Sequence, residues 1–300
     1  MKKILAILVM SLLFVGCSSK EDKKLKVIVP SGATALSLVG IYDKDNKNPA
    51  MTITEGTDVI SSELVKKDSE FDMIVAPINL GCQLIAKGQT EYKLAGVITW
   101  GNLYLVENEN VDNGKVVAFG EQAVPGKILN LVKDSIDVVK GKEINYLNAV
   151  SDVQAQVLSN KYQYALMAEP AATATIAKAK ENNITVKIVA SLQDAYQKQM
   201  STETAGYPQA GIFVKNKEDT QVLLDKIDTF TNQEALKDNH IETLLSQYDA
   251  KIFGVPNATI AQKTWTRQNI HYKAANTIKE DIKVLLKQFN IEYDDKMIIS

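Results

Sequence analysis

Short runs of aliphatic and β-branched residues alternate along this chain with segments whose apolar positions recur at helical spacing. LKVIVPSG (25–32) predicts a strand running into a loop, ATALSLVGIYDK a short helix, AMTITEGT (50–57) a second strand and FDMIVAP (71–77) a third. Thr57 or Asp58 is placed to start the helix between the last two. YKLAGVITWGNLYLV (92–106) is too long and too continuously apolar for one ordinary strand and predicts a crossing between two lobes. The alternation then restarts with KVVAFGEQ (115–122), VPGKILNLVKD, EINYLNAVSDV, YQYALMAEP, AATATIAKAKENN and TVKIVAS, and YPQAGIFVKN (207–216) predicts the return crossing. From residue 218 the pattern is helical, as in NTIKEDIKVLLKQF, where Ile278, Ile282, Leu285, Leu286 and Phe289 mark one apolar face.

One phrase occurs twice. TDVISSELVKKDSEFDMIVAP (57–77) and SDVQAQVLSNKYQYALMAEP (151–170) both set a hydroxyl residue before Asp-Val, follow with a helical run, and end in an aromatic-led apolar strand that stops at proline. Ten residues beyond each proline stands a lysine preceded by alanine, Ala86-Lys87 and Ala179-Lys180. Two α/β lobes on one plan account for this, with strands separated by helices implying right-handed crossovers and a mainly parallel sheet in each. The expected organisation is a first lobe of residues 25–102 and 214–300 and a second of 103–213. A chain of 300 residues accommodates two cores.

The amino terminus predicts export. MKK is a charged start, ILAILVMSLLFV an apolar run short for a finished membrane anchor, and Gly16 precedes Cys17. LFVGCSSK resembles a bacterial lipobox, which implies a signal peptide over 1–16, a lipid on Cys17, and a polar tether over 17–24. An ordinary signal peptide beside a coincidental cysteine is the alternative. With Cys17 lipidated, Cys82 is left alone, so no disulfide framework is expected.

Charge narrows the function classes. A formal net charge of -2 without a basic stripe argues against nucleic-acid binding. The only histidines, His240 and His271, have no Cys, Asp or Glu at a ligand spacing that makes a convincing site with them, so no metal site is expected. No cofactor motif and no phosphate loop are present. Arg267 is the sole arginine, and thus the only side chain able to offer a planar bidentate fork. It is expected at the surface, with a grip on a carboxylate or phosphate as the alternative.

In open parallel sheets ligands sit beyond the carboxyl ends of the strands. That places Ser31, Gly32 and Thr34 (in PSGAT), Thr57, Asn79, Trp100, Gly101 and Asn102 at a shared cleft from one side. Phe119, Gly120, Glu121, Ser151, Glu169 and Tyr207 come from the other. Trp100 is either core packing or a stacking wall, and its small polar neighbours favour the wall. Glu169 is either a ligand acceptor or one half of a structural ion pair, and Tyr207 is expected on the back wall.

FDMIVAPINLGCQLIAKG, YQYALMAEPAATATIAKA and YPQAGIFVKNKEDTQVLLDKIDTFTNQ resemble the substrate-binding proteins of ABC importers with the type II periplasmic-binding fold, nearest the nitrate, sulfonate and thiamine-precursor binders. The resemblance spans residues 25 to about 290. The A-x-x-x-EP element at 165–170 carries much of it, although KYQY stands where a glycine-aspartate pair often precedes that element. It implies a two-lobed α/β clamshell with a helical C-terminal region. It also implies capture of a small molecule without chemical change, and delivery to an ABC permease and its ATPase. Aromatic walls beside Glu169 and amide acceptors point to a neutral or weakly cationic planar heterocycle. Two alternatives stay open: an enzyme of the same fold acting in pyrimidine-precursor synthesis, and a lipoprotein sensor or adhesin that binds a protein partner. No G-x-S-x-G element and no Cys/His pair falls on the predicted cleft loops.

Overall fold

The structure, a computed structural model, describes residues 24–299; the signal segment, Cys17 and the tether before residue 24 lie outside them. Eleven strands are described: β1 (Lys26–Pro30), β2 (Ala50–Thr54), β3 (Met73–Pro77), β4 (Lys93–Thr99), β5 (Leu103–Asn108), β6 (Val116–Phe119), β7 (Ile144–Leu147), β8 (Tyr164–Ala168), β9 (Val186–Ser191), β10 (Ala210–Val214) and β11 (Ile270–Ala274). They form two sheets, ordered β11-β4-β10-β3-β1-β2 and β7-β6-β8-β5-β9. This is a mixed α/β architecture with two lobes, each a sheet covered by helices on both faces.

Both copies of the repeated phrase fold alike. The helices Asp58–Val65 and Val150–Leu158 lead into β3 and β8, which run parallel to β1 and β6 respectively. Side chains alternate across these strands with period two. Val27, Val29, Met73 and Val75 face one apolar cluster while Ile28, Ile74 and Ala76 face another. In the second lobe, Ala165 and Met167 face away from Leu166 in the same manner. Burial on both faces explains why these strands read as unbroken apolar runs.

The sheets are less parallel than the strand-helix alternation predicts, and the reason is geometric. The parallel strands of each lobe end at the cleft, so a chain arriving from the other lobe must start there and run outward. β5 enters the second sheet between β8 and β9, antiparallel to both, and β10 enters the first between β3 and β4 in the same sense. The long apolar run at 92–106 is therefore two strands in two sheets, β4 and β5, joined by Trp100–Asn102. Ala210 already pairs in the first sheet, ahead of residue 214.

The C-terminal region packs on the first lobe as helices, with Ile241, Leu245, Ala261 and Trp265 in its outer cluster. It also contributes a strand that the helical pattern did not predict: β11 extends the first sheet against β4. One continuous apolar cluster runs beneath the crossings and holds Trp100, Leu103, Tyr196 and Tyr207 together with residues of both sheets. Among the described residues, no helix is long and apolar enough to cross a membrane.

Candidate functional site

A cavity of about 630 Å³ lies between the lobes, where the carboxyl ends of β1, β3, β4 and β8 meet the start of β10. From the first lobe it is lined by Pro30, Ser31, Gly32, Ala33, Thr34, Thr57, Ala76, Pro77, Thr99, Ala210, Gly254 and Pro256. The second lobe supplies Ala123, Val124, Pro125, Val150, Gln154, Ala168, Glu169, Pro170, Ala171 and Ala174, and Asn102 and Gln209 come from the crossings. A larger surface hollow, of about 710 Å³ around Lys273 and Lys279, lies away from this junction. The interlobe cavity is the stronger candidate because strand ends and helix starts of both lobes converge on it.

Loop chemistry builds the first-lobe wall. The Ser31 N–H donates to the Thr54 carbonyl at 2.8 Å and the Gly32 N–H to the Phe253 carbonyl at 2.9 Å, which ties the PSGAT loop to β2 and to the C-terminal region. Gly254 permits this approach. It sits at φ +73°, and a Cβ there would lie 2.5 Å from the Gly32 nitrogen. The Ser31 hydroxyl donates to Glu55 Oε2 at 3.1 Å and the Thr34 hydroxyl to the Pro30 carbonyl at 2.6 Å. Thr57 occupies the N-cap position of Asp58–Val65, yet its hydroxyl makes no capping bond.

At the crossings an ordered amide chain fixes which atoms stay open. Glu169's backbone carbonyl can only accept, and it receives Asn102 Nδ2 at 2.8 Å. Asn102 Oδ1 therefore accepts, from Gln209 Nε2 at 3.2 Å. This leaves Gln209 Oε1 as an acceptor, buried without a partner among the described residues, as is the neighbouring Thr99 hydroxyl. The Gln209 N–H donates to the Thr99 carbonyl, so the two residues sit side by side.

Glu169 forms the structural ion pair rather than an open acceptor. Its fully buried carboxylate takes Arg267 Nε on Oε1 at 2.7 Å, the Thr173 hydroxyl on Oε1 at 2.8 Å and the Thr173 N–H on Oε2 at 3.0 Å. Arg267 keeps 37% side-chain exposure and is engaged with a carboxylate of the protein itself, outside the cavity lining. With that pair closed on itself, the lining presents no other charged side chain.

The cavity brings together Ser31, Gly32, Thr34, Thr57, Asn102 and Glu169 of the residues expected there. The aromatic walls are a correction. Trp100 is fully buried, its Nε1–H donates to the His271 carbonyl at 2.9 Å, and its ring stacks on His271 at 5.2 Å, so it packs against β11 and not the cavity. Tyr207 is also fully buried, tilted against Tyr196 and lying over Gly101, where a Cβ would come within 2.5 Å of its ring. Burial pushes the Tyr207 hydroxyl's pKa far up. Both rings fill the joint beneath the crossings, a space that only large side chains can close.

Phe119 packs half-buried between two apolar clusters, and the Gly120 carbonyl accepts from the Ala123 and Gly126 N–H groups in the turn before Val124–Val132. Neither lines the cavity, and Glu121 does not either. Ser151 lies within the first turn of Val150–Leu158 and is exposed; the Ala149 N–H is taken by Asp152 Oδ2. Asn79 sits in the first turn of Ile78–Ala86, outside the lining. Sequence reasoning missed Thr99, Gln209, Gln154, Pro125, Ala174 and the Gly254–Pro256 stretch. For Pro125 the Pro-Gly at 125–126 was a usable signal of a helix start, whereas nothing local marks Ala174.

No protein-family model matches the chain, and no curated protein does. Solved structures share its fold. A structure described as an ABC transporter of Parabacteroides distasonis is 21% identical and superposes with a TM-score of 0.77, covering 93% of this chain and 99% of that one. The periplasmic aliphatic sulphonate binding protein SsuA of Escherichia coli follows at 13% identity and a TM-score of 0.61, covering 92% of each chain. The periplasmic nitrate-binding protein NrtA of Synechocystis is 13% identical with a TM-score of 0.53, covering 79% of this chain and 68% of that one. At these identities the likeness establishes the two-lobed fold.

Proposed function

We propose that this chain is an extracytoplasmic solute-binding protein that captures a small molecule between its lobes and delivers it, chemically unchanged, to the permease and ATPase of an ABC importer. The observation that carries the reading is the cavity of about 630 Å³ at the converging strand ends of both sheets, a volume suited to a small molecule. The fold shared with the sulphonate- and nitrate-binding proteins supports it. The lipobox at Gly16-Cys17 supports anchoring of the mature protein to the outer face of the cell membrane by a lipid on Cys17. Cys17→Ser should release the protein from membranes, and unchanged membrane association would remove the anchor from the reading.

The lining narrows the cargo. Hydroxyls and amides gather on the first lobe and the crossings, while the second-lobe wall is alanine, valine and proline apart from Gln154 and the closed Glu169–Arg267 pair. A ligand with a polar, hydrogen-bond-donating head and a compact apolar body matches both walls; aliphatic sulphonates, the cargo named for the Escherichia coli neighbour, share the apolar body, but their anionic head would meet no cationic side chain in this lining. A planar heterocycle keeps a place in the test, but without Trp100, Phe119 and Tyr207 in the lining it has no ring to stack on. Closure by rotation about Trp100–Asn102 and residues 201–209 would exclude water and strengthen the polar contacts.

The experiment is mass spectrometry of small molecules released from the purified protein, followed by calorimetry with aliphatic sulfonates, nitrate, pyrimidines and amino acids. Saturable binding of one class with no product formed supports the reading. Turnover of the bound molecule would favour the enzyme alternative, and failure of every class together with an empty extract would count against cargo capture.

A further inference from the structure

Arg267 reaches across from one lobe to the other. It lies in the turn Thr266–Gln268 just before β11, so its backbone belongs to the first lobe, while Glu169 and Thr173 stand just past the end of β8 and at the start of Ala171–Glu181 in the second. Its Nε donates to Glu169 Oε1 at 2.7 Å and its Nη2 to the Thr173 hydroxyl at 2.6 Å. The turn itself is tied down on both sides. The Tyr104 hydroxyl, from β5, donates to the Arg267 carbonyl at 2.8 Å, and Asn269 Nδ2 donates to the Trp100 carbonyl at 2.8 Å. Glu169 is held in turn by Asn102, whose carbonyl accepts its N–H at 2.9 Å.

We propose that Arg267 and the Glu169–Thr173 pair form an interlobe strut, set beside the crossings, that fixes the resting angle between the lobes before any ligand arrives. The chemistry favours a single angle. A guanidinium fork donating in two directions to a carboxylate and its hydroxyl neighbour tolerates little rotation, unlike a point charge. The carboxylate is fully buried, so opening the lobes far enough to part the pair would leave it without its cationic partner. Arg267 is the single arginine among 34 basic residues, and its planar fork meets the two acceptors from two different nitrogens, where a lysine would offer one point charge.

The proposal concerns the ligand-free chain and stands apart from the identity of the cargo. Its test is small-angle scattering of the ligand-free protein and of the variants Arg267→Met, Arg267→Lys, Glu169→Gln and Thr173→Val, each checked for native circular dichroism. A larger radius of gyration is expected for Arg267→Met and Glu169→Gln, with smaller increases for Arg267→Lys and Thr173→Val. The double variant Arg267→Met/Glu169→Gln should be no more open than either single one, because the two changes remove the same contact. Wild-type scattering from the folded variants overturns the strut. Additive expansion in the double variant overturns it as well, since that would mark general loosening. Should Glu169→Gln fail to fold, Arg267→Lys and Thr173→Val still decide the matter, as both leave the carboxylate a partner.

Discussion

The two walls of the cavity are built on the same lobe plan and differ in chemistry: both carry alanine and proline, but the hydroxyls stand on the first. On the first lobe the loop after β1 and the helix start at Thr57 bring Ser31, Thr34 and Thr57 to the lining, joined by Thr99 from the end of β4. On the second, the lining is Val124, Pro125, Val150, Ala171 and Ala174 beside Gln154 and the paired Glu169, and the hydroxyl of the repeat, Ser151, turns to solvent. A shared backbone plan thus fixes where a ligand can sit, while the side chains at equivalent ends decide what each wall can recognise. Under the proposed function, this difference would set the polar head of a ligand against the first lobe and its apolar body against the second.

Filling the apolar wall should break the comparison most. Ala174→Phe, at a half-buried lining position, is expected to lower affinity for the ligand found by calorimetry on the order of 100-fold with little change in thermal unfolding. Retained affinity would mean that the ligand does not use that wall. At the joint between the walls, Trp100→Phe removes the bond to the His271 carbonyl and part of the ring stack. It should cost about 1–2 kcal/mol in denaturant unfolding while leaving affinity within about twofold. A large affinity loss with unchanged stability would restore Trp100 to the cleft.

The polar wall is tested more gently by Thr57→Val, since the hydroxyl makes no capping bond. An affinity loss of about fivefold, the scale of one ordinary hydrogen bond, is expected by calorimetry. An equal loss from Val150→Thr would erase the claimed asymmetry. The smallest effect is a pH dependence at the joint. Burial, with Lys273 nearby, lowers the His271 pKa from 6.5 to about 4. The unfolded chain therefore binds this proton first, and the stability associated with the neutral ring is whole above pH 6.5 and falls as pH drops toward 4. The loss should be on the order of 1 kcal/mol once discounted for partial exposure, and should be absent from the His271→Gln variant.

Much of the architecture was legible in local pattern. Apolar runs stopped by Pro30, Pro77 and Pro170 marked strand ends, and helical spacing marked the elements between them, because burial on both sheet faces and helix periodicity are written residue by residue. Loop positions beside those strand ends, such as Ser31, Thr34, Thr57 and Glu169, followed from the same logic. β11 was hidden because a five-residue edge strand inside a helical stretch has too little periodicity to announce itself.

By itself the sequence determined that the chain makes two α/β lobes on one plan, and that hydroxyls, amides and one carboxylate stand at their strand ends. Only the tertiary structure decided which of those groups are free. Trp100 and Tyr207 became the packing of the joint because the space beneath two crossing segments must be filled, and Glu169 was closed off because the sole arginine, nearly a hundred residues away, folds against it at 2.7 Å. Partnership of this kind depends on distances between segments remote in the chain, which no local pattern of hydrophobic and polar residues encodes.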